Sequence, residues 1–169
     1  MSSASSRALT IARPTIQVLT ALNLVYAAGI TCILVASLVV PGWVNPMDHW
    51  MAWRYPNAGI GFRLLIVLGI AGAAVVHIVL RKLVAIVDTV KAGDPFSIDN
   101  ARRLEAIGWG VTALELLRLG AWKLLSATFI AGKFGGFALA PWLAVLLLFV
   151  LAGVFAQGAR MRDELEGTV

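Results

Sequence analysis

Glu115 and Arg118 are the residues of this chain whose types and spacing point most directly to chemistry. They stand three apart in the apolar run "WGVTALELLRLGAW", so on a helix they share one face. Counted from Ile107 at about 1.5 Å per residue, they lie about 12 and 16 Å along that helix. Ionisable side chains at such depth in a membrane are costly, and they face a bundle interior or a wet cavity. One chemistry is a proton or ion relay, or a polar ligand site. The plainer expectation is a self-neutralising pair that fixes packing, because one local pair can satisfy itself. His77 is the third candidate. It sits one turn inside Arg81, and its depth differs from that of Glu115 by only about 6 Å on the same rise. A His–Glu pair there would respond to pH, although the ordinary role of such a histidine is a hydrogen bond to a neighbouring helix. Gly69, Ala73 and His77 fall four apart and form one stripe, whose small residues would let another helix approach closely. Asn23 is expected to hydrogen-bond between helices.

Other chemistry is thin. Asp48 and His49 are adjacent with no further His or Cys nearby, which does not make a metal site. No nucleophile motif, phosphate loop, dinucleotide fingerprint or zinc spacing occurs, and Ser37 and Ser126 stand alone in apolar runs. Cys32 is the single cysteine, which rules out an intrachain disulfide. No catalytic residues, no metal and no cofactor are therefore expected, and the chain is read as a non-enzyme.

The elements that carry these residues follow from composition. Of the 169 residues 60% are apolar and only 14% charged, against about a quarter charged in a soluble domain. Several apolar runs reach the ~20 residues that cross ~30 Å of hydrocarbon. The first is too long for a signal-peptide core and is taken as a retained span. The expectation is an all-α fold, an integral membrane four-helix antiparallel bundle forming one membrane domain over 1–169. Its helices lie at about 15–40, 61–91, 98–128 and 138–165, the first opening near Pro14. Helices 2, 3 and 4 extend into the cytoplasm. Between helices 1 and 2, "PGWVNPMDHWMAWRYPNAGI" places Trp43, Trp50, Trp53 and Tyr55 where an interfacial aromatic belt would lie. A Gly-rich outer loop, "FIAGKFGGF", joins helices 3 and 4.

The segment "KAGDPFSIDNARRLEAIGW" reads as a tight connection. Gly93 suits a left-handed helix end, and Pro95 forbids continuation and makes Asp94 extended. Ser97 is a good N-cap, with Asp99 in the first turn beside the helix dipole. Asn100 occupies the place of Glu or Gln in a capping box, leaving the box incomplete. Phe96 can staple onto Ala101 or a neighbour. Arg102 and Arg103 are helix-end anchors first and partner-binding groups second. Arg160 and Arg162, in the charged tail "ARMRDELE", could pair with Asp88 or Asp94 or touch anionic headgroups.

Nine of the 14 Lys and Arg residues fall in the two tails and the 81–106 segment, and four fall on the other side. That bias predicts a multi-pass protein of the bacterial cytoplasmic (inner) membrane with both termini cytoplasmic. The basic excess serves orientation, so direct nucleic-acid binding is not expected. The lipid bilayer is the first partner, and the apolar stripes leave a homo-oligomer open.

The pattern "GDPFSIDNARRLEAIGW", followed at the end of the fourth helix by "FAQGARMRDELEGTV", resembles the YoaS-like bacterial membrane proteins, a four-helix family of unknown function. The resemblance covers roughly residues 15–169. It rests on the Gly93-Asp94-Pro95-Phe96 turn with Asn100 and Arg103, and on Gly158, Asp163, Glu164 and Leu165 in a tail ending Gly167-Thr168-Val169. Members are often encoded beside a very small helix-turn-helix protein. The resemblance thus implies a membrane-bound regulatory or sensor partner of a small DNA-binding protein. Its docking face would be built from Gly93, Asp94, Pro95, Phe96, Asn100, Arg102, Arg103, Asp163 and Glu164. The alternative is a small transporter or proton-coupled component using His77, Glu115 and Arg118.

Overall fold

A computed structural model describes residues 3–40, 58–128 and 138–166. The Trp-rich loop with Asp48 and His49, the Gly-rich outer loop, and the Gly167-Thr168-Val169 terminus lie outside the described residues. Four helices account for nearly all the rest: α1 Ser3–Val39, α2 Ala58–Lys91, α3 Ile98–Thr128 and α4 Leu139–Glu166. Among the described residues there is no strand.

The helices match the expected segments, with one correction. α1 does not open near Pro14. It begins at Ser3 and carries Pro14 in its interior. A proline there forfeits one ladder hydrogen bond, but residues 4–13 contain good helix formers and no turn signal, so nothing stops the helix earlier. One residue on, the Thr15 hydroxyl donates to the Ile11 carbonyl at 2.9 Å.

Packing follows chain order. α1 lies on α2, α2 on α3, and α3 on α4, and no other pair packs extensively among the described residues. The contact faces recur every seven residues. Ile66, Ala73 and Leu80 are the buried apolar residues of α2, and Val145, Ala152 and Ala159 those of α4. On α3 the same interval links Ala101, Gly108 and Glu115. On α1 it links Ile16, Asn23, Ile30 and Ser37, which are buried or half-buried. A seven-residue recurrence is the seam of near-aligned helices, because 3.5 residues per turn keeps one stripe facing the partner. Small residues set the close approaches. A Cβ on Gly110 would come within 2.6 Å of Val79 Cγ2, and one on Gly108 within 3.3 Å of the Phe149 ring.

Polar ties fix the antiparallel register of α1 on α2. Arg13 pairs with Asp88 at 3.5 Å at one end. Asn23 Nδ2 donates to the Ala73 carbonyl at 3.0 Å in the middle. Arg63 Nη2 donates to the Ser37 carbonyl at 2.7 Å at the other end. Asn23 thus bonds between helices as expected, and it does so on the Gly69–Ala73 stripe.

Outside these seams the molecule is covered by large apolar side chains. Val18, Leu22 and Val25 on α1, and Leu143, Leu147 and Val150 on α4, are each more than half exposed. Contiguous apolar surface of this extent is not stable in water and is natural against lipid. Three helices contain spans long and apolar enough to cross a bilayer: Ile11–Val39, Gly59–Lys91 and Leu139–Leu165. α3 is not among these three. It is as long as its neighbours but carries Glu115, Arg118 and Lys123 within its length, besides the charges of its first turns. α3 is sheltered by α2 on one side and α4 on the other, and there a helix tolerates charge that a lipid-facing one would not.

Candidate functional site

Two clusters concentrate the polar chemistry: the elbow between α2 and α3, and the ion pair on α3.

The elbow begins with the end of α2. Gly93 has φ +89°, a left-handed conformation that costs an L-residue its Cβ clearance. Its N–H donates to the Val90 carbonyl at 3.1 Å, and the Asp94 N–H to the Thr89 carbonyl at 3.1 Å. This pair of bonds is the Schellman arrangement, which satisfies carbonyls a helix end would otherwise leave open. Ser97 caps α3, its Oγ accepting from the Asn100 N–H at 3.3 Å.

Asn100 is the hub. Among the described residues it is the one large side chain with no exposure at all. Its Nδ2 donates to the Pro95 carbonyl at 3.0 Å and makes a long contact of 3.5 Å with that of Asp94. Its Oδ1 accepts from the Thr89 hydroxyl at 2.9 Å and from Arg103 Nη1 at 2.8 Å. Arg103 Nη1 also reaches the Ala85 carbonyl at 3.3 Å. One amide therefore joins the last turns of α2, the turn itself and the first turn of α3. The residue that looked like a defective capping box is the centre of a saturated network. Thr89 gave no sign in the sequence, because its partner lies across the turn on another helix.

The turn is also tied to α4. Phe96 packs on a neighbour from α4. Its ring packs on Phe155 with centroids 5.1 Å apart, and it covers Gly158, where a Cβ would meet the ring at 3.2 Å. Arg162 Nη1 donates to Asp94 Oδ1 at 2.6 Å. Gly158 matters because a side chain there would press on the Phe96 ring, which would have to give by a few tenths of an ångström.

These contacts sort the residues expected on a docking face. Gly93, Asp94, Pro95, Phe96, Asn100 and Arg103 take part in internal contacts. Arg102 is exposed and pairs with Asp99 at 3.9 Å. Asp163 and Glu164 are exposed on the last turns of α4, as are Met161 and Leu165.

In the second cluster, Arg118 grips Glu115 with two nitrogens. Nε lies 2.9 and 3.0 Å from the carboxylate oxygens and Nη2 lies 2.6 Å from Oε1. Glu115 is buried, whereas the Arg118 side chain is 37% exposed. Arg118 lines an open groove of about 300 Å³ between α1, α2 and α3, with Asn23, Tyr26, Gly69 and Gly72 among the other lining residues. His77 is half-buried and makes no hydrogen bond to Glu115; its Nδ1 is buried without a partner. The structure thus brings Glu115 and Arg118 together and leaves His77 outside their bonding. Tyr26 was not singled out in the sequence. Its hydroxyl lies 3.3 Å from where a Gly69 Cβ would be, a proximity that only packing reveals. Among the described residues no group of three or more His, Cys, Asp or Glu could hold a metal ion.

No curated protein and no solved structure matches the chain. Residues 35–169 match the family described as "Protein of unknown function (DUF2975)". That match begins near the end of α1 and takes in all of α2, the elbow, α3 and α4, and the chain belongs to that family.

Proposed function

We propose that this chain is a non-enzymatic, multi-pass protein of a bacterial inner membrane, with its termini and elbow in the cytoplasm, and that its elbow end docks a partner protein. The observation that carries the reading is the Asn100 network together with the Phe96–Phe155 and Arg162–Asp94 ties. A connection needed only to turn the chain would not require a saturated polar hub clamped to a third helix. Such a head holds the ends of three helices at fixed spacing, which is what a specific protein interface requires.

The exposed surface at this end includes Arg102 and Glu105 on α3, and Arg160, Met161, Asp163 and Leu165 on α4. Met161 and Leu165 are four apart and strongly exposed, at 60% and 73%. They form a short apolar stripe among charges, the pattern of a helix that meets another protein. The excess of Lys and Arg at this end supports the cytoplasmic orientation. The resemblance to YoaS-like proteins supports a small helix-turn-helix regulator as the partner.

The test is affinity capture of the full-length protein from detergent-solubilised membranes, with mass spectrometry of what stays attached. A specific small protein should copurify with the wild type. It should be lost in the triple variant Arg102→Glu, Met161→Glu, Leu165→Glu, while helicity and melting stay unchanged. Equal recovery with both proteins would refute the docking face. Thiol labelling of a cysteine introduced at Arg102 in intact cells tests the orientation separately, and external labelling would reverse it.

A further inference from the structure

The groove beside Arg118 calls for an occupant. Asn23 and Tyr26 lie near the middle of the Ile11–Val39 span, and the α2 residues of the groove near the middle of Gly59–Lys91. A guanidinium has five N–H donors. Glu115 engages Nε and Nη2, and Nη1 has no hydrogen-bond partner among the described residues. The Arg118 side chain is 37% exposed, and in water its remaining donors would be solvated. At mid-span an unmet donor is costly, so the acceptor has to come from within the groove.

Three features of the walls define that acceptor. First, Tyr26 and Arg118 line the same space, whose remaining lining is mostly Leu, Val, Ala and Gly. A groove full of water would leave most molecules without the 2–4 polar partners that hold a buried water. Second, Glu115 already balances the charge of Arg118, and a second anion would leave the site with an uncompensated negative charge at low dielectric. Third, about 300 Å³ is at the small end of the range for ligand sites. From these we infer that the α1–α2–α3 groove binds a neutral, lipid-soluble molecule whose apolar body carries a carbonyl oxygen. The oxygen accepts from Arg118 Nη1 and Tyr26, and the body lies against Gly69, Gly72 and Leu114. This site is independent of the docking face at the elbow.

An alkyl-substituted benzophenone is a direct probe, since it is itself a neutral apolar ketone and inserts into nearby C–H bonds on illumination. The full chain in lipid nanodiscs would be illuminated with it and the labelled peptides mapped. Label should concentrate in residues 23–26, 65–76 and 114–121. An alkyl phenyl ketone should compete it away, and the alkylbenzene without the carbonyl should not. Gly72→Leu should cut labelling there about tenfold by filling the groove. The Cβ position of Gly72 meets nothing closer than Leu114 at 3.9 Å, so the backbone accepts it. The paired variant Glu115→Gln, Arg118→Gln should keep the groove but lose the preference for ketone over hydrocarbon. Label spread evenly over lipid-facing residues, equal competition by both compounds, or labelling indifferent to Gly72→Leu would each overturn the inference, leaving a groove filled by water or lipid tails.

Discussion

Replacing Asn100 by Leu tests whether the elbow is held by its polar hub or by apolar packing around it. The two side chains are similar in size, so the change removes hydrogen bonds without opening a large cavity. Lost are the bond to the Pro95 carbonyl at 3.0 Å, that from Thr89 at 2.9 Å and that from Arg103 at 2.8 Å. A neutral intramolecular bond contributes about 1 kcal/mol net, and one to a charged group about 1.5–3 kcal/mol. The Pro95 carbonyl and Arg103 would also be left with fewer partners in a site that gives Asn100 no exposure at all. The expected destabilisation is about 3–5 kcal/mol, at the upper end of what single substitutions do. At about 2–4 °C per kcal/mol for a chain of this size, the melting temperature should fall by roughly 6–20 °C. Asn100→Asp discriminates further. It keeps the acceptor for Thr89 and Arg103 but turns a second oxygen toward the Pro95 carbonyl, so it should fall between wild type and Asn100→Leu. The assay is thermal unfolding in detergent followed by circular dichroism, with hydrogen exchange read at the Gly93 and Asp94 amides. A drop of under about 3 °C, equivalent to roughly 1 kcal/mol, with unchanged exchange would refute the hub.

Gly93→Ala should destabilise by about 1–2 kcal/mol through backbone strain alone, because φ is +89° and no atom lies within 4 Å of the new Cβ; Gly93→Asn should recover much of the loss in the same melts. Gly110→Ala should cost about 1–3 kcal/mol through overpacking against Val79 Cγ2 at 2.6 Å, whereas Gly153→Ala, with open space, should be neutral or gain up to about 1 kcal/mol of helix propensity. Removing one partner of the α3 ion pair, by Glu115→Ala or Arg118→Ala, should lower the melting point more than the double change Glu115→Leu, Arg118→Met, because a single deletion strands a charge and the double one does not. Gly158→Val should free Phe96 from α4, seen as faster exchange around Asp94 and loss of the Arg162–Asp94 tie.

Helix number, the extents of α2, α3 and α4, and the elbow were legible in the sequence, because each is decided locally. Long apolar runs, a glycine that can take positive φ, a proline that forbids helix and a serine that caps one act within a few residues of themselves. The Glu115–Arg118 pair was legible for the same reason, being one turn of one helix. The start of α1 was misread because a proline is compatible with the first turn and also, at some cost, with an interior, and only the continuing ladder distinguishes them. What the tertiary structure alone decided is how distant segments meet. Asn100 became a hub rather than a failed capping box because Thr89 and Arg103 converge on it. Phe96 turned to α4 because Gly158 leaves it room. Arg118 met a groove because α1 and α3 flank α2 without closing over it. Periodicity tells a helix which face to bury, but the partner for that face, and the space left where partners do not fit, are set by register between helices that no local signal encodes.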